Sequence, residues 1–455
     1  MTATRRFLIA FALLALVYFV SRAPYFEHPI IGEEGLFANL LLDPPAFPRF
    51  ILAGYVAGDP ILLNFNHPIA PYLWLRAAGS GLRTAIAEGT RATDLVGAIR
   101  LHFALYLFLV LAGALAFLTR ERDDIGVRVG VILALAASPL AIASSVQLYL
   151  DGSIGALVTG LAALALVAAT HDAWSARVRG ASAAAGGLLV GLARPEWCVV
   201  YLVAAGAASL WALVRKTESA PRIPLAAAAA IGAISGLVAG YLANPENFAN
   251  HLTNSAVILG GARTAPFDLA DGGVRRIVMF RLWAVAPSLV MLALAAFAFV
   301  RRPRAEALAP LLFAGGLFAG YLSGLVNDLF DYRYYAPSLA ASAGAWAACS
   351  RGGLGRAGRI AALVAVGALL VLAAQFHRHA APGRLSITMG PGMPLAAYFP
   401  DRAERVRRAL ENDCVPELPV WSKFEFPDTD FLIPSLAYPD AEHIAAEHGR
   451  RLCAR

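Results

Sequence analysis

Two adjacent carboxylates, Glu33 and Glu34, stand in the segment Gly32-Glu33-Glu34-Gly35-Leu36-Phe37-Ala38. Paired acids near an apolar surface are costly to desolvate, so one of them has a raised pKa and suits a general base. The plain alternative is two solvated loop acids, which the apolar and aromatic setting disfavours. A second segment, Asn66-His67-Pro68, leads through Pro71 into Tyr72 and Trp74. It sets His67 before a proline-started helix with an aromatic face, or marks an interfacial aromatic belt. Asp151 falls between two apolar runs, where an acid is a functional candidate by default. Aspartate is also a good N-cap for the helix that follows, and the two roles are compatible. Arg194 and Glu196 flank Pro195 in a very short turn, where they serve a ligand or pair with each other. Late in the chain Arg333 is flanked by Tyr332, Tyr334 and Tyr335. A guanidinium matches phosphate oxygens bidentately; the alternative is a tyrosine belt with a snorkelling arginine.

The elements that must hold these residues are membrane helices. Of the 455 residues, 58% are hydrophobic and 15% are charged, far fewer charges than a water-soluble domain carries. Apolar runs fall near 7–22, 97–118, 126–147, 152–170, 182–193, 197–214, 223–243, 282–300, 308–326, 334–350 and 358–376. At ~20 residues per crossing, they predict about eleven transmembrane helices. The run at 182–193 is short enough to be broken or re-entrant. The first run follows Met1-Thr2-Ala3-Thr4-Arg5-Arg6 like a signal peptide, but Ser21-Arg22-Ala23-Pro24 is a poor cleavage site, so it reads as a retained helix.

Basic clusters orient the bundle. Arg5/Arg6, Arg120/Arg122, Arg177/Arg179, Arg215/Lys216/Arg222, Arg301/Arg302/Arg304 and Arg351/Arg356/Arg359 all fall on one side if there are eleven crossings. Short basic loops mark the cytoplasm, so the N-terminus is expected inside and the C-terminal region outside. The long segments 23–96, 244–281 and 377–455 then share the outer face, with interfacial helices near 69–87. All five chemical segments lie there. The net charge of +7 belongs to these loops; basic residues interleaved with aromatics in the manner of a nucleic-acid groove are missing. Cys198 and Cys349 lie in apolar runs as packing residues. Cys414 and Cys453 lie in the polar tail, where an extracytoplasmic location would permit a disulfide. The cysteine spacing does not suggest zinc, and a 20–50-residue repeat or inverted duplication is not apparent.

In this order the motifs resemble the GT-C superfamily of membrane glycosyltransferases, specifically bacterial relatives of the protein O-mannosyltransferases and lipid A aminoarabinose transferases (family 39-like). Glu33-Glu34-Gly35-Leu36-Phe37-Ala38 is similar to that family's Asp-Glu motif in the first outer loop, with Glu for the usual Asp. His67-Pro68-Ile69 through Tyr72 and Trp74 is similar to its His-Pro-Pro segment, without the second proline. Ser138-Pro139 with Asp151, Gly186-Gly187 through Arg194-Pro195, and Arg333 to Pro337 echo its later motifs. The resemblance spans residues 1–376 and leaves 377–455 as a small extracytoplasmic region without a counterpart.

The resemblance implies an all-α GT-C-like bundle in the bacterial cytoplasmic membrane. It implies transfer of a sugar from a polyprenyl-phosphate donor to a hydroxyl of a glycolipid, glycan or protein, with inversion. Glu33 would be the base, Glu34 its positioning or donor-binding partner, and Asp151 a second acid near the acceptor. Arg333, with His67, would hold the leaving phosphate; Arg194, Tyr332 and Tyr335 are further donor-binding candidates. The apolar helices would receive the polyprenyl chain at roughly 0.8 kcal/mol per buried methylene. A metal is not required if Arg and His neutralise the phosphate, and a carboxylate-bound divalent cation is compatible. The rival readings are a transporter or flippase of lipid-linked sugars and a catalytically inactive scaffold of the same fold.

Overall fold

The computed structural model describes residues 2–26, 37, 41, 68–90, 92–146, 148, 150–171, 173–214, 224–242, 245–249, 251–252, 274–324, 335–379, 414–415 and 451–452. Apart from two short strands in the tail, those residues form a helical bundle. Helix α1 is Ala3–Arg22, and the short helices α2 (Ala70–Ala78) and α3 (Ser80–Ala87) follow. Then come α4 (Val96–Leu118), α5 (Ile125–Ala136), α6 (Pro139–Val146), a π turn at Leu150–Ile154 and α7 (Gly155–Ala169). Helices α8 (Ala176–Ala193), α9 (Pro195–Val214) and α10 (Pro224–Tyr241) precede α11 (Val274–Arg301), α12 (Ala305–Gly324), α13 (Ala336–Cys349) and α14 (Gly355–His379). In the tail, Cys414–Val415 pairs in parallel with Arg451–Leu452, Cys414 opposite Arg451.

Five of these stretches are long and apolar enough to cross a membrane: Ala3–Tyr25, Val96–Leu118, Gly152–Ala169, Pro195–Val214 and Gly355–Arg378. The pair α5 and α6 makes a sixth if a bent span is counted once, and Leu225–Tyr241, Val285–Arg301 and Glu306–Leu322 are shorter apolar helices. Large apolar side chains remain exposed on α1, α9 and α14, among them Leu16, Val20, Val203, Leu210 and Val364. Outward apolar faces on a chain of this composition are a bilayer surface, and they mark a membrane protein.

Two apolar runs differ from their sequence reading. The run at 182–193 is not broken: it is the second part of α8, one helix of 18 residues. Its first turns carry Arg177 and Arg179, which hid them from a count of apolar residues. Ser175 starts it, its hydroxyl accepting from the Val178 N–H at 3.4 Å, as an N-cap does. The run at 126–147 bends by 53° between α5 and α6. Pro139 lacks an N–H and its ring clashes with the preceding turn, and the Ser138 hydroxyl accepts from the Ala141 N–H at 3.4 Å to start the new helix.

Small residues set the closest packing. Gly187 and Gly191 of α8 face Gly232 and Gly236 of α10. A Cβ on Gly187 or Gly191 would run into the Ala229 or Ala233 carbonyl oxygen, and one on Gly232 into that of Ala184. This four-residue spacing of glycines lets two helix backbones touch where lipid supplies little hydrophobic drive. Helix α13, rich in Ala, Ser and Gly, is buried along its whole length and is surrounded by α4, α7, α11 and α12.

One end of the bundle is tied together by arginines. Arg6 donates to the Thr119 and Arg120 carbonyls at 2.9 and 3.0 Å. Glu121 accepts from the Gly352 N–H at 2.6 Å, from Arg351 Nε at 3.2 Å and from Arg128 Nη1 at 3.4 Å. Arg351 also pairs with Glu306, and Arg302 donates to the Gly353 carbonyl at 2.9 Å. Burial pushes the Glu121 carboxyl up, but the Gly352 N–H, Arg128 and Arg351 outweigh it and hold the group below its ordinary 4.5. This basic end joins three interhelical loops. The opposite end carries the described residues that border the chemical motifs.

Candidate functional site

The motif end begins where α1 stops. Arg22 is fully buried there, its guanidinium 3.4 Å from the Tyr18 ring centroid. It donates to the carbonyls of Ala136 (2.9 Å) and Ala141 (2.7 Å) and to the Ser145 hydroxyl (2.6 Å). The bend between α5 and α6 leaves the Ala136 carbonyl, in the last turn of α5, without a helical N–H partner, and Arg22 satisfies it. Arg100 of α4, also buried, donates to the Val146 carbonyl at 2.6 Å and so caps the last turn of α6 with positive charge. Two arginines thereby fix the segment that leads into the π turn containing Asp151. Beyond Arg22, the Tyr25 hydroxyl lies 3.1 Å from His377 Nδ1. This contact joins the residue from which the acidic loop departs to the end of α14.

The first loop returns to the bundle at the same end. The Ile69 N–H donates to the Gly240 carbonyl at 2.9 Å, and Pro68 fills the space a Cβ on Gly240 would need. Pro68 therefore seats on the last turn of α10. Helix α2 is pinned by Trp74, whose indole N–H donates to the Tyr106 hydroxyl at 3.1 Å; that hydroxyl is 2.8 Å from His102 Nε2.

A polar cluster forms where α8 gives way to α9. Arg194 has extended backbone (φ −158°, ψ 134°), as a residue before proline prefers. It ends α8, and Pro195 starts α9, because proline suits the first helical position. Glu196 follows in the first turn of α9, where a carboxylate complements the helix dipole. Its Oε1 is 2.8 Å from His251 Nε2. A carboxylate only accepts, so Nε2 carries the proton. Trp197 is fully buried and donates its indole N–H to the Tyr321 hydroxyl of α12 at 2.8 Å. The Arg194 guanidinium sits 5.7 Å from the Trp197 ring centroid, and its charge acts on Glu196. Asn247 is buried nearby in sequence to His251, and Tyr241 meets Phe248 edge-on at 5.3 Å.

Arg194 thus stands in a cluster with Glu196, as the sequence allowed, and the Glu196 carboxylate accepts a hydrogen bond from His251, which sequence reasoning missed. Tyr335 is buried at the foot of α13, 6.1 Å ring to ring from Phe318, and its carbonyl accepts from Ser288 partway along α11. Glu33, Glu34, His67, Tyr332 and Arg333 lie outside the described residues, as does the side chain of Asp151. Among the described residues three or more His, Cys, Asp or Glu side chains are nowhere gathered as a metal site would need. Comparison of the chain with protein-family models, with curated proteins and with solved structures finds no match.

Proposed function

We propose that this protein is a GT-C-type membrane glycosyltransferase, moving a sugar from a polyprenyl-phosphate donor to an acceptor hydroxyl of a glycolipid, glycan or protein. In this reading the chain crosses the bacterial cytoplasmic membrane eleven times, with a cytoplasmic N-terminus and the motifs outside. One observation carries it. The described residues that border the sequence motifs lie at helix ends on the side away from the arginine-tied loops. Tyr25 and Phe26 precede the acidic loop, Pro68 follows His67, Leu148 and Ser153 bracket Asp151, and Arg194 is there itself. On this reading the loops that carry acid, imidazole and guanidinium depart from that end, and such groups together would suit displacement at a sugar carbon with a phosphate leaving group.

The acceptor oxygen attacks the anomeric carbon while Glu33 takes its proton. The bond from that carbon to the phosphate oxygen breaks on the opposite face, and the electron pair leaves with polyprenyl phosphate. Arg333, Arg194 and His67 neutralise the leaving group, with Tyr332 and Tyr335 beside it. Glu34 positions Glu33 or the donor, and Asp151 serves the acceptor side.

The test is transfer of labelled sugar by the purified protein, offered a panel of polyprenyl-phosphate sugars with a cell-envelope acceptor extract. Glu33→Gln should abolish transfer. Transfer that survives this change moves the base to Glu34 or Asp151. Absence of transfer together with donor translocation in proteoliposomes would replace the enzyme with a flippase.

A further inference from the structure

The arginine-tied end of the bundle carries cations that the ties leave over. Its centre is the loop 119–124. Arg6 of α1 donates to the Thr119 and Arg120 carbonyls, and the Leu354 N–H, just ahead of α14, donates to Asp124 Oδ2 at 2.7 Å. Arg5 stands one residue before Arg6, Arg356 stands two residues beyond Leu354, and Arg122 lies in the loop itself. All three are exposed, and among the described residues none of their side chains has an ion-pair partner. The acids of this end are engaged elsewhere. Glu121 serves Gly352, Arg351 and Arg128, Glu306 pairs with Arg351, and Asp124 serves Leu354 and, at 3.7 Å, Arg359. Asp123 is exposed and pairs with no arginine among the described residues.

These cations border the lipid-facing surface. Leu8 and Ile9 follow Arg5 by one turn of α1, and Ile360 and Leu363 follow Arg356 by one and two turns of α14; all four are exposed. Helix α5 packs against both α1 and α14. Its Gly126 and Gly130 adjoin open space, since a Cβ on either would meet nothing within 4 Å. The first turns of α1 and α14 hold no acid, so the positive ends of two helix dipoles add to the three guanidiniums. Helices α9 and α10, whose connection is outside the described residues, pack against α8, α12 and each other. A guanidinium matches phosphate oxygens, and basic residues at a membrane surface attract anionic headgroups.

We infer that this end binds an anionic phospholipid of the adjoining leaflet, its phosphate held by Arg5, Arg122 and Arg356 and an acyl chain beside Gly126 and Gly130. The site is separate from the transfer chemistry proposed above and does not depend on it.

The full chain in detergent is titrated with dioleoyl phosphatidylglycerol and with dioleoyl phosphatidylcholine, and bound lipid is counted by native mass spectrometry. The wild type should bind phosphatidylglycerol at least about tenfold more tightly. One arginine near an anionic lipid contributes about fivefold. Arg5→Gln, Arg122→Gln and Arg356→Gln should therefore each weaken phosphatidylglycerol by about that factor, and the triple variant should bring the two lipids within about twofold. Lysine at the same three positions should keep the preference, which separates loss of charge from loss of fold. Arg177→Gln, at an exposed arginine of α8, should leave the affinity unchanged; an equal loss there means a diffuse attraction and overturns the site. Wild-type binding without preference overturns it too, as does a triple variant that keeps the preference. Displacement of phosphatidylglycerol by millimolar inorganic phosphate would reassign the arginines to a soluble anion and overturn the lipid.

Discussion

Replacing Glu121 by glutamine tests the arginine-tied end of the bundle. The carboxylate receives the Gly352 N–H at 2.6 Å, Arg351 Nε at 3.2 Å and Arg128 Nη1 at 3.4 Å. The Arg128 side chain is fully buried and Glu121 is 29% exposed. Glutamine keeps one acceptor oxygen for Gly352 and Arg128 but turns an N–H₂ toward the Arg351 guanidinium. Loss of charge-assisted bonds that are partly open to solvent, with a buried cation left behind, should cost about 2 kcal/mol. For a chain of this length that is a fall on the order of 2 °C in the thermal midpoint, read at fixed scan rate in detergent because unfolding of such proteins is often irreversible. The sign with pH follows from the lowered carboxyl pKa. A group held below its ordinary 4.5 stabilises the fold above that pH and loses its contribution as pH falls through the folded value. The gap between wild type and Glu121→Gln should therefore be full at pH 7 and close below about pH 4.5. A gap of zero at pH 7, or one that persists unchanged at pH 3.5, refutes the reasoning.

Arg22→Lys should lower stability nearly as much as Arg22→Met, because an ammonium cannot reproduce the planar fork that serves Ala136, Ala141 and Ser145 together; equal midpoints for wild type and Arg22→Lys would contradict this. Gly191→Leu should prevent the contact of α8 with α10 and yield an aggregated or sharply destabilised protein on gel filtration, whereas Gly206→Leu, whose Cβ would meet nothing within 4 Å, should behave as wild type.

The sequence announced its helices through apolar runs, since a bilayer demands them directly. Its errors arose where a distant partner decides the outcome. The bend at Ser138–Pro139 carried a proline signal, yet the surrounding run stayed apolar, and the arginine that makes the bend tolerable lies 114 residues away from Ala136. The turn at Arg194–Pro195 was legible because the preference of a pre-proline residue is local. His251 was not, because nothing at position 251 points to Glu196, 55 residues earlier. The early turns of α8 went unseen since Arg177 and Arg179 interrupt its apolarity while leaving helix propensity intact.

The contacts of Arg22 also impose an order on biosynthesis. The first helix leaves the ribosome carrying a cation at its far end, and the hydroxyl and carbonyls that will receive it lie 114 to 123 residues later in the chain. Until those residues have entered the membrane, the guanidinium has to remain hydrated at the water boundary. The bend between α5 and α6 is then completed by a helix made more than a hundred residues before them.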